Sequence, residues 1–223
     1  MLQFTHGFNP EIQLVVEVNS SYDFKTELDF ELKELKNKGA TVIKKILATL
    51  ALLLVAVIVY AAIKPSEYFI KRDLVIHAKS DAIYPYLVSM KNADQWMPWS
   101  ETDPHVKTTY SGPETGVGAT SNWDSQGGMG TGKAEIVVAV SNQSIKTKIT
   151  YSKPMEMNQD SEFILTPAGK STQMTWTLSG KSPFIARLMC TVTFMNMDKY
   201  VGGMFEKGLL KLKGLVESER IEK

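Results

Sequence analysis

One cysteine in a chain of 223 residues leaves no internal disulfide available. Three scattered histidines, His6, His77 and His105, show no zinc-ligand spacing. No structural metal and no cofactor is therefore expected. Cys190 lies among apolar residues at 188–194 and reads as a small buried hydrophobe more readily than as a reactive thiol. An excess of one charge is missing too: 25 Lys and Arg against 24 Asp and Glu give a formal net charge of +1. No basic stripe is present, which excludes the face a nucleic-acid binder would present. Length excludes a second folded domain of ordinary size, because the part of the chain after residue 63 has room for only one substantial core.

What the chain does have is an apolar run at residues 46–63, eighteen positions with no charge and a single hydroxyl, Thr49. As a helix it would cover about 27 Å, close to the roughly 30 Å of bilayer hydrocarbon. Lys44 and Lys45 precede it, and Lys64 and Pro65 end it. The run is longer than the core of most signal peptides, which favours a retained single-pass anchor. Val59-Tyr60-Ala61 offers small residues at a cleavable spacing as the alternative. Lys33, Lys36, Lys38, Lys44 and Lys45 before the run outnumber Lys64, Lys71 and Arg72 after it, which puts the amino end in the cytoplasm and the following domain outside.

Three segments follow from this: 1–41, a span at 42–64 and a domain at 65–223. The first has a weak strand pattern at 12–18 and a charge-rich stretch at 24–38 with Leu28, Leu32 and Leu35 at helical spacing. It is either a disordered or amphipathic cytoplasmic piece or the product of a start site placed too early, because the basic-then-apolar order at 42–47 itself resembles a targeting terminus.

The domain opens with a strand at 68–76, followed by a helix from Ser80 whose Ile83, Tyr84, Leu87 and Val88 share a face and which fades by Asn92. Trp96 and Trp99 are three apart, a spacing that one helical turn brings to the same side. Six more strands are expected at 106–110, 119–123, 132–140, 144–151, 158–166 and 171–179, each bounded by Gly, Pro, Asn or Ser. Their short connections require antiparallel pairing in a meander. A helical region from Ser182-Pro183 runs to about Glu217 with a break near Asn196. Met197, Val201, Met204, Gly208, Leu212 and Leu215 form its apolar stripe, and Lys199, Glu206, Lys207 and Lys213 face water. Gly202, Gly203, Gly208 and Gly214 each cost about 1 kcal/mol of helix propensity. Either they let the helix pack closely on the sheet, or they widen a cavity beneath it. The fold class is α+β, a curved antiparallel sheet closed by a long carboxy-terminal helix.

Several motifs resemble the polyketide cyclase/dehydrase-type group of the SRPBCC, START-like superfamily. They are Trp96-Met97-Pro98-Trp99-Ser100 with Asp103-Pro104, the loop Tyr110-Ser111-Gly112-Pro113-Glu114 with Gly116 and Gly118, Trp123, and Asp198, Gly202, Phe205-Glu206-Lys207-Gly208-Leu209 and Leu212-Lys213 in the last helix. The resemblance covers residues 67–217. It implies a helix-grip (START/Bet v 1-like) fold with a hollow between sheet and helix for a hydrophobic small molecule or lipid, and it implies no particular catalysis. Trp96, Trp99, Tyr110, Trp123, Trp176, Met204, Phe205 and Gly208, with Met174, are the expected lining. Each is equally suited to an ordinary core. For an enzyme acting on such a ligand, His77, His105, Asp124, Glu135 and Glu162 are the available acids and bases, but each fits a solvated or capping role better. A protein-interaction module with a filled core is the third reading.

Overall fold

The computed structural model describes residues 24–101, 103, 105–126 and 128–219, so the strand expected at 12–18 lies outside the described residues. Met1–Ala56 and Val57–Lys223 form two compact units. The described part of the first is a stretch of helix α1, Phe24–Ile63, whose 40 residues span about 60 Å. The helix starts well before the boundary expected at 42 and carries the charge-rich stretch with it, where Glu34 and Lys38 pair at 3.0 Å. Its apolar side chains are uncovered, Leu47 at 60% and Leu54 at 62% exposed. Among the described residues, α1 is long and apolar enough to cross a membrane.

The second unit is built on one seven-stranded antiparallel sheet. Its strands are β1 (Glu67–Ile76), β2 (Lys107–Ser111), β3 (Thr120–Asp124), β4 (Thr131–Val140), β5 (Ser144–Lys153), β6 (Met157–Ala168) and β7 (Ser171–Lys181). The meander expected for β2 to β7 is present, and β1 closes the order β1-β7-β6-β5-β4-β3-β2 by pairing with β7. Alternation is sharpest in β6 and β7, where Ser161, Phe163, Leu165, Met174, Trp176 and Leu178 are buried on one face.

The single helix expected after Ser80 is three one-turn helices, α2 (Ser80–Ile83), α3 (Pro85–Val88) and α4 (Met90–Ala93). Pro85 has no N–H to continue the first. Ser89 sits in extended conformation, φ −115° and ψ 122°, and its side chain accepts from the Asn92 N–H to start the third. The carboxy-terminal region breaks as expected, into α5 (Phe184–Val192) and α6 (Met197–Glu219).

Helix α6 lies on the sheet along Val201, Phe205, Leu209, Leu212 and Val216, all buried. The contact line is therefore turned from the expected stripe, and Met197, Met204 and Leu215 sit half-buried at its margins. The cause is close approach. A Cβ on Gly208 would lie 3.0 Å from Pro98 Cδ and 3.2 Å from Trp176 Cζ3, and one on Gly202 only 1.9 Å from Arg72 Nη2. Arg72 points inward from β1 with a side chain 22% exposed. It donates to the Asp198 carboxylate at 3.1 Å, to the Asp198 carbonyl at 3.0 Å and to Glu206 Oε1 at 2.7 Å. The hydrogen bonds from Arg72 hold the Asp198 carboxyl below its ordinary range. At the other end of α6, Lys213 Nζ donates to the Val75 carbonyl at 2.9 Å, and the His77 N–H donates to Glu217 Oε1 at 2.7 Å.

Two adjacent glycines should thus respond with opposite sign. Gly202→Ala drives a methyl into the guanidinium and is expected to destabilise the fold by about 1–3 kcal/mol. Gly203, with nothing within 4 Å of its Cβ position, should gain up to about 1 kcal/mol as alanine. Denaturant unfolding followed by tryptophan fluorescence checks both; equal responses would mean that Arg72 does not fix the start of α6.

Candidate functional site

Strand alternation chooses which side chains face the concave side, and register sets them in rows. The row Arg72, Trp176, Phe163 and Ile145 lies where α6 begins its contact. Towards the end of the sheet where β1 starts, the next row is Ile70, Leu178, Ser161, Thr147 and Ile136. Beyond it comes Tyr68, Gly180, Gln159, Ile149, Ala134, Ser121 and Tyr110, which crosses all seven strands. Trp123, Gly132, Tyr151 and Met157 form the last row.

The end under α6 is packed shut. Trp176 stacks on Phe205 at 3.7 Å and 3°, with Trp96 edge-on at 5.5 Å, Phe163 at 5.1 Å and Trp99 at 6.4 Å. Both central indoles have partners: Trp96 Nε1 donates to the Tyr86 carbonyl at 3.1 Å and Trp176 Nε1 to Ser161 Oγ at 3.0 Å. Gly208 admits the helix to this stack and leaves no space beside it.

The other end differs. α6 first meets β1 at Arg72, four residues and about 13 Å along the strand from Tyr68. The floor there has small or polar residues, Ser121, Ala134, Gly180 and Gln159, on either side of Ile149. Its walls are rings laid over glycines. A Cβ on Gly132 would meet Trp123 Cζ2 at 2.4 Å, and one on Gly180 would meet the Tyr68 hydroxyl at 2.7 Å. Tyr151 stands edge-on to Trp123 at 5.3 Å. The Tyr68 hydroxyl and Trp123 Nε1 are both buried without a hydrogen-bond partner, although the Gln159 side chain is close enough to act on the phenol. Burial pushes the Tyr68 phenol up to about 12 and raises Tyr151 as well.

A separate cleft of about 130 Å³ lies between α4 and the β2–β3 turn, lined by Met90, Lys91, Tyr110, Pro113 and Glu114 among others. The Tyr110 hydroxyl donates to the Asp94 carboxylate. Burial raises Asp94, against the pull of that bond, and burial with the adjacent carboxylate raises Tyr110.

No protein-family model matches the sequence, and no curated protein matches it either. Solved structures do match. A protein of Chromobacterium violaceum superposes with a TM-score of 0.50 at 12% identity, over 67% of this chain and 96% of that one. StfQ, the di-domain ARO/CYC of the steffimycin biosynthetic pathway, gives 0.52 at 14% identity over 69% of this chain and 52% of StfQ. The fold is helix-grip. A norcoclaurine synthase point mutant of Thalictrum flavum, in complex with a transition-state analogue, gives 0.50 at 14% identity over 69% and 96% of the two chains. The Bet v 1-like helix-grip architecture of sheet and terminal helix is thus the one the motifs resembled.

Of the residues expected to line a hollow, Trp96, Trp99, Trp176, Phe205 and Gly208 come together at the packed end of the grip, with Met174 buried beside them. Tyr110 turns to the α4 cleft and Met204 sits at the helix margin. Trp123 stands apart from these, at the end of the sheet beyond α6. Tyr151 beside it, and Tyr68 with Gln159 in the adjoining row, were not anticipated, since only register brings them to this end; glycines inside strands, at 132 and 180, were the available signal. The backbone N–H of His77 donates to Glu217 while its ring Nδ1 lies 3.1 Å from Ser171 Oγ, and exposed His105 donates its backbone N–H to Asp103 at 2.9 Å. No group of three His, Cys, Asp or Glu suited to a metal occurs among the described residues.

A buried phenol without a partner costs free energy, so Tyr68→Phe should leave stability equal or raise it by about 1 kcal/mol. Because the folded state holds the Tyr68 proton more tightly than the unfolded chain, that group contributes stability below pH 10 that is lost between 10 and about 12. Unfolding midpoints across that range should fall less steeply for Tyr68→Phe than for the parent, and identical slopes would count against burial of this phenol.

Proposed function

We propose that the chain is a membrane-anchored protein that binds a hydrophobic small molecule or lipid at the open end of its helix-grip domain. In this reading residues 42–64 hold the domain at the bilayer, 65–223 do the binding, and the domain faces away from the cytoplasm. The observation that carries the reading is the pair of unpartnered donors, the Tyr68 hydroxyl and Trp123 Nε1, set among rings at the end of the sheet that α6 leaves uncovered. A mostly apolar wall with few placed polar groups is the usual form of a small-molecule site. Two donors suit a ligand with an acceptor oxygen, such as a carboxyl or carbonyl group, at one end of an apolar body. The fold supports the reading by analogy, because norcoclaurine synthase holds a small ligand on the same architecture.

A second reading, an enzyme acting on such a ligand, draws support from one feature. Asp94 is a carboxyl raised by burial and bonded to the phenol of Tyr110, which lines the α4 cleft, and a raised carboxyl is one condition for a general acid or base.

The test is photo-crosslinking of the full chain in lipid nanodiscs with a diazirine-bearing fatty acid, mapped by peptide mass spectrometry. Label is expected on the peptides carrying Trp123, Tyr151 and Gln159, and Ala134→Phe, which fills the floor, should reduce it about tenfold while the domain stays folded. Label confined to the apolar stretch of α1 would overturn the binding site and leave the anchor standing.

A further inference from the structure

Resting on the anchor proposed above, we propose that α5 and the turn after it lie in the surface of the same bilayer, a second and in-plane membrane contact beside the open end of the sheet. β7 ends at Lys181, paired with Glu67, so α5 begins at the strand ends nearest Tyr68. Arg187 of α5 donates to the carbonyls of Ala62 and Lys64. Carbonyls at the close of a helix have no partner within it, and here the guanidinium supplies one, tying α5 to the last turn of the apolar helix.

The composition of this segment fits a lipid phase. From residue 184 to 197 Arg187 is the single charged residue, and it is turned to the end of α1. None of the nine residues of α5 is fully buried. Ile185 is 53% exposed, Met189 58% and Val192 59%. Phe194, between the two helices, is 94% exposed at a φ of 54°, a left-handed position where glycine or asparagine is the ordinary choice. In water such a run of uncovered apolar side chains is costly. At the headgroup boundary it is the binding face of an interfacial helix. A protein partner could also cover an apolar face, but this one is hydrogen-bonded to the end of a helix long enough to cross a bilayer, and so lies at the depth where that helix leaves the hydrocarbon. The consequence is that the strand ends where β1 starts and β7 finishes lie close to the lipid surface.

The full chain in phosphatidylcholine vesicles tests this, with the sole native cysteine removed (Cys190→Ser) and an environment-sensitive fluorophore placed by Met189→Cys, Leu53→Cys or Lys170→Cys. Val192→Cys serves if the Met189 variant does not fold. Doxyl-labelled phospholipid is expected to remove about half of the emission at 189 and at 53 and to leave 170 unchanged. Quenching at 53 without quenching at 189 would overturn the in-plane contact and keep the anchor. A blue-shifted label at 189 that the doxyl lipid leaves alone would mean that protein covers the face, which also overturns the proposal. No quenching at 53 would remove the anchor and this inference with it.

Discussion

The contact on which the rest of the domain depends is the stack of Phe205 on Trp176, 3.7 Å apart and nearly parallel. An aromatic pair contributes about 0.5–1.5 kcal/mol beyond the area it buries. Here its larger effect is geometric. A helix can bring a phenyl ring flat onto an indole in the sheet only if its backbone comes close, and Gly208, against Pro98 and Trp176, permits that. Gly202 does the same six residues earlier, where the Arg72 guanidinium occupies the space of a side chain. With both contacts made, the start of α6 is fixed at Arg72, and the concave face is divided into a packed part and an uncovered part.

That division explains how two kinds of polar group fare in one interior. Under α6 the indole nitrogens of Trp96 and Trp176 are matched to a carbonyl and a hydroxyl, as a dry core requires. Beyond Arg72 the Trp123 nitrogen and the Tyr68 hydroxyl are not. A sequence under no demand other than packing would fill such positions with Phe or Leu at no loss. In the reading proposed above, an acceptor on the ligand would answer these two donors.

The strands and the terminal helix were legible because their signals are local: period-two alternation, turn residues between runs, and glycines and apolar residues at helical spacing. The segment after Ser80 was misjudged as one helix because its apolar spacing is genuine, while Pro85 and Ser89 each break the backbone ladder. The site was harder. Trp96, Trp99, Trp176 and Phe205 were visible as aromatics, but whether four rings surround a ligand or one another depends on how near the helix lies, which spacing does not encode. Tyr68, Tyr151 and Gln159 come from three strands, and their meeting is a matter of register; a slip of one residue would have turned each to the outer face. Trp123 was identified, but its partners were not.

If the domain does take up a lipid-like ligand, the placement of its open end decides the route. Moving a chain of about a dozen methylenes from a bilayer into water costs about 10 kcal/mol at 0.8 kcal/mol for each. No arrangement of donors inside the domain lowers that cost, because it falls on the ligand before it arrives. A mouth set in the bilayer surface avoids it, and the features for such a mouth lie at one end of the sheet. These are the close of the apolar helix, the uncharged length of α5 bonded to it through Arg187, and the ringed floor between Tyr68 and Trp123. No residue of α5 is fully buried and none belongs to the Trp176–Phe205 stack, so the packed end of the grip does not depend on the helix that would lie in the bilayer surface.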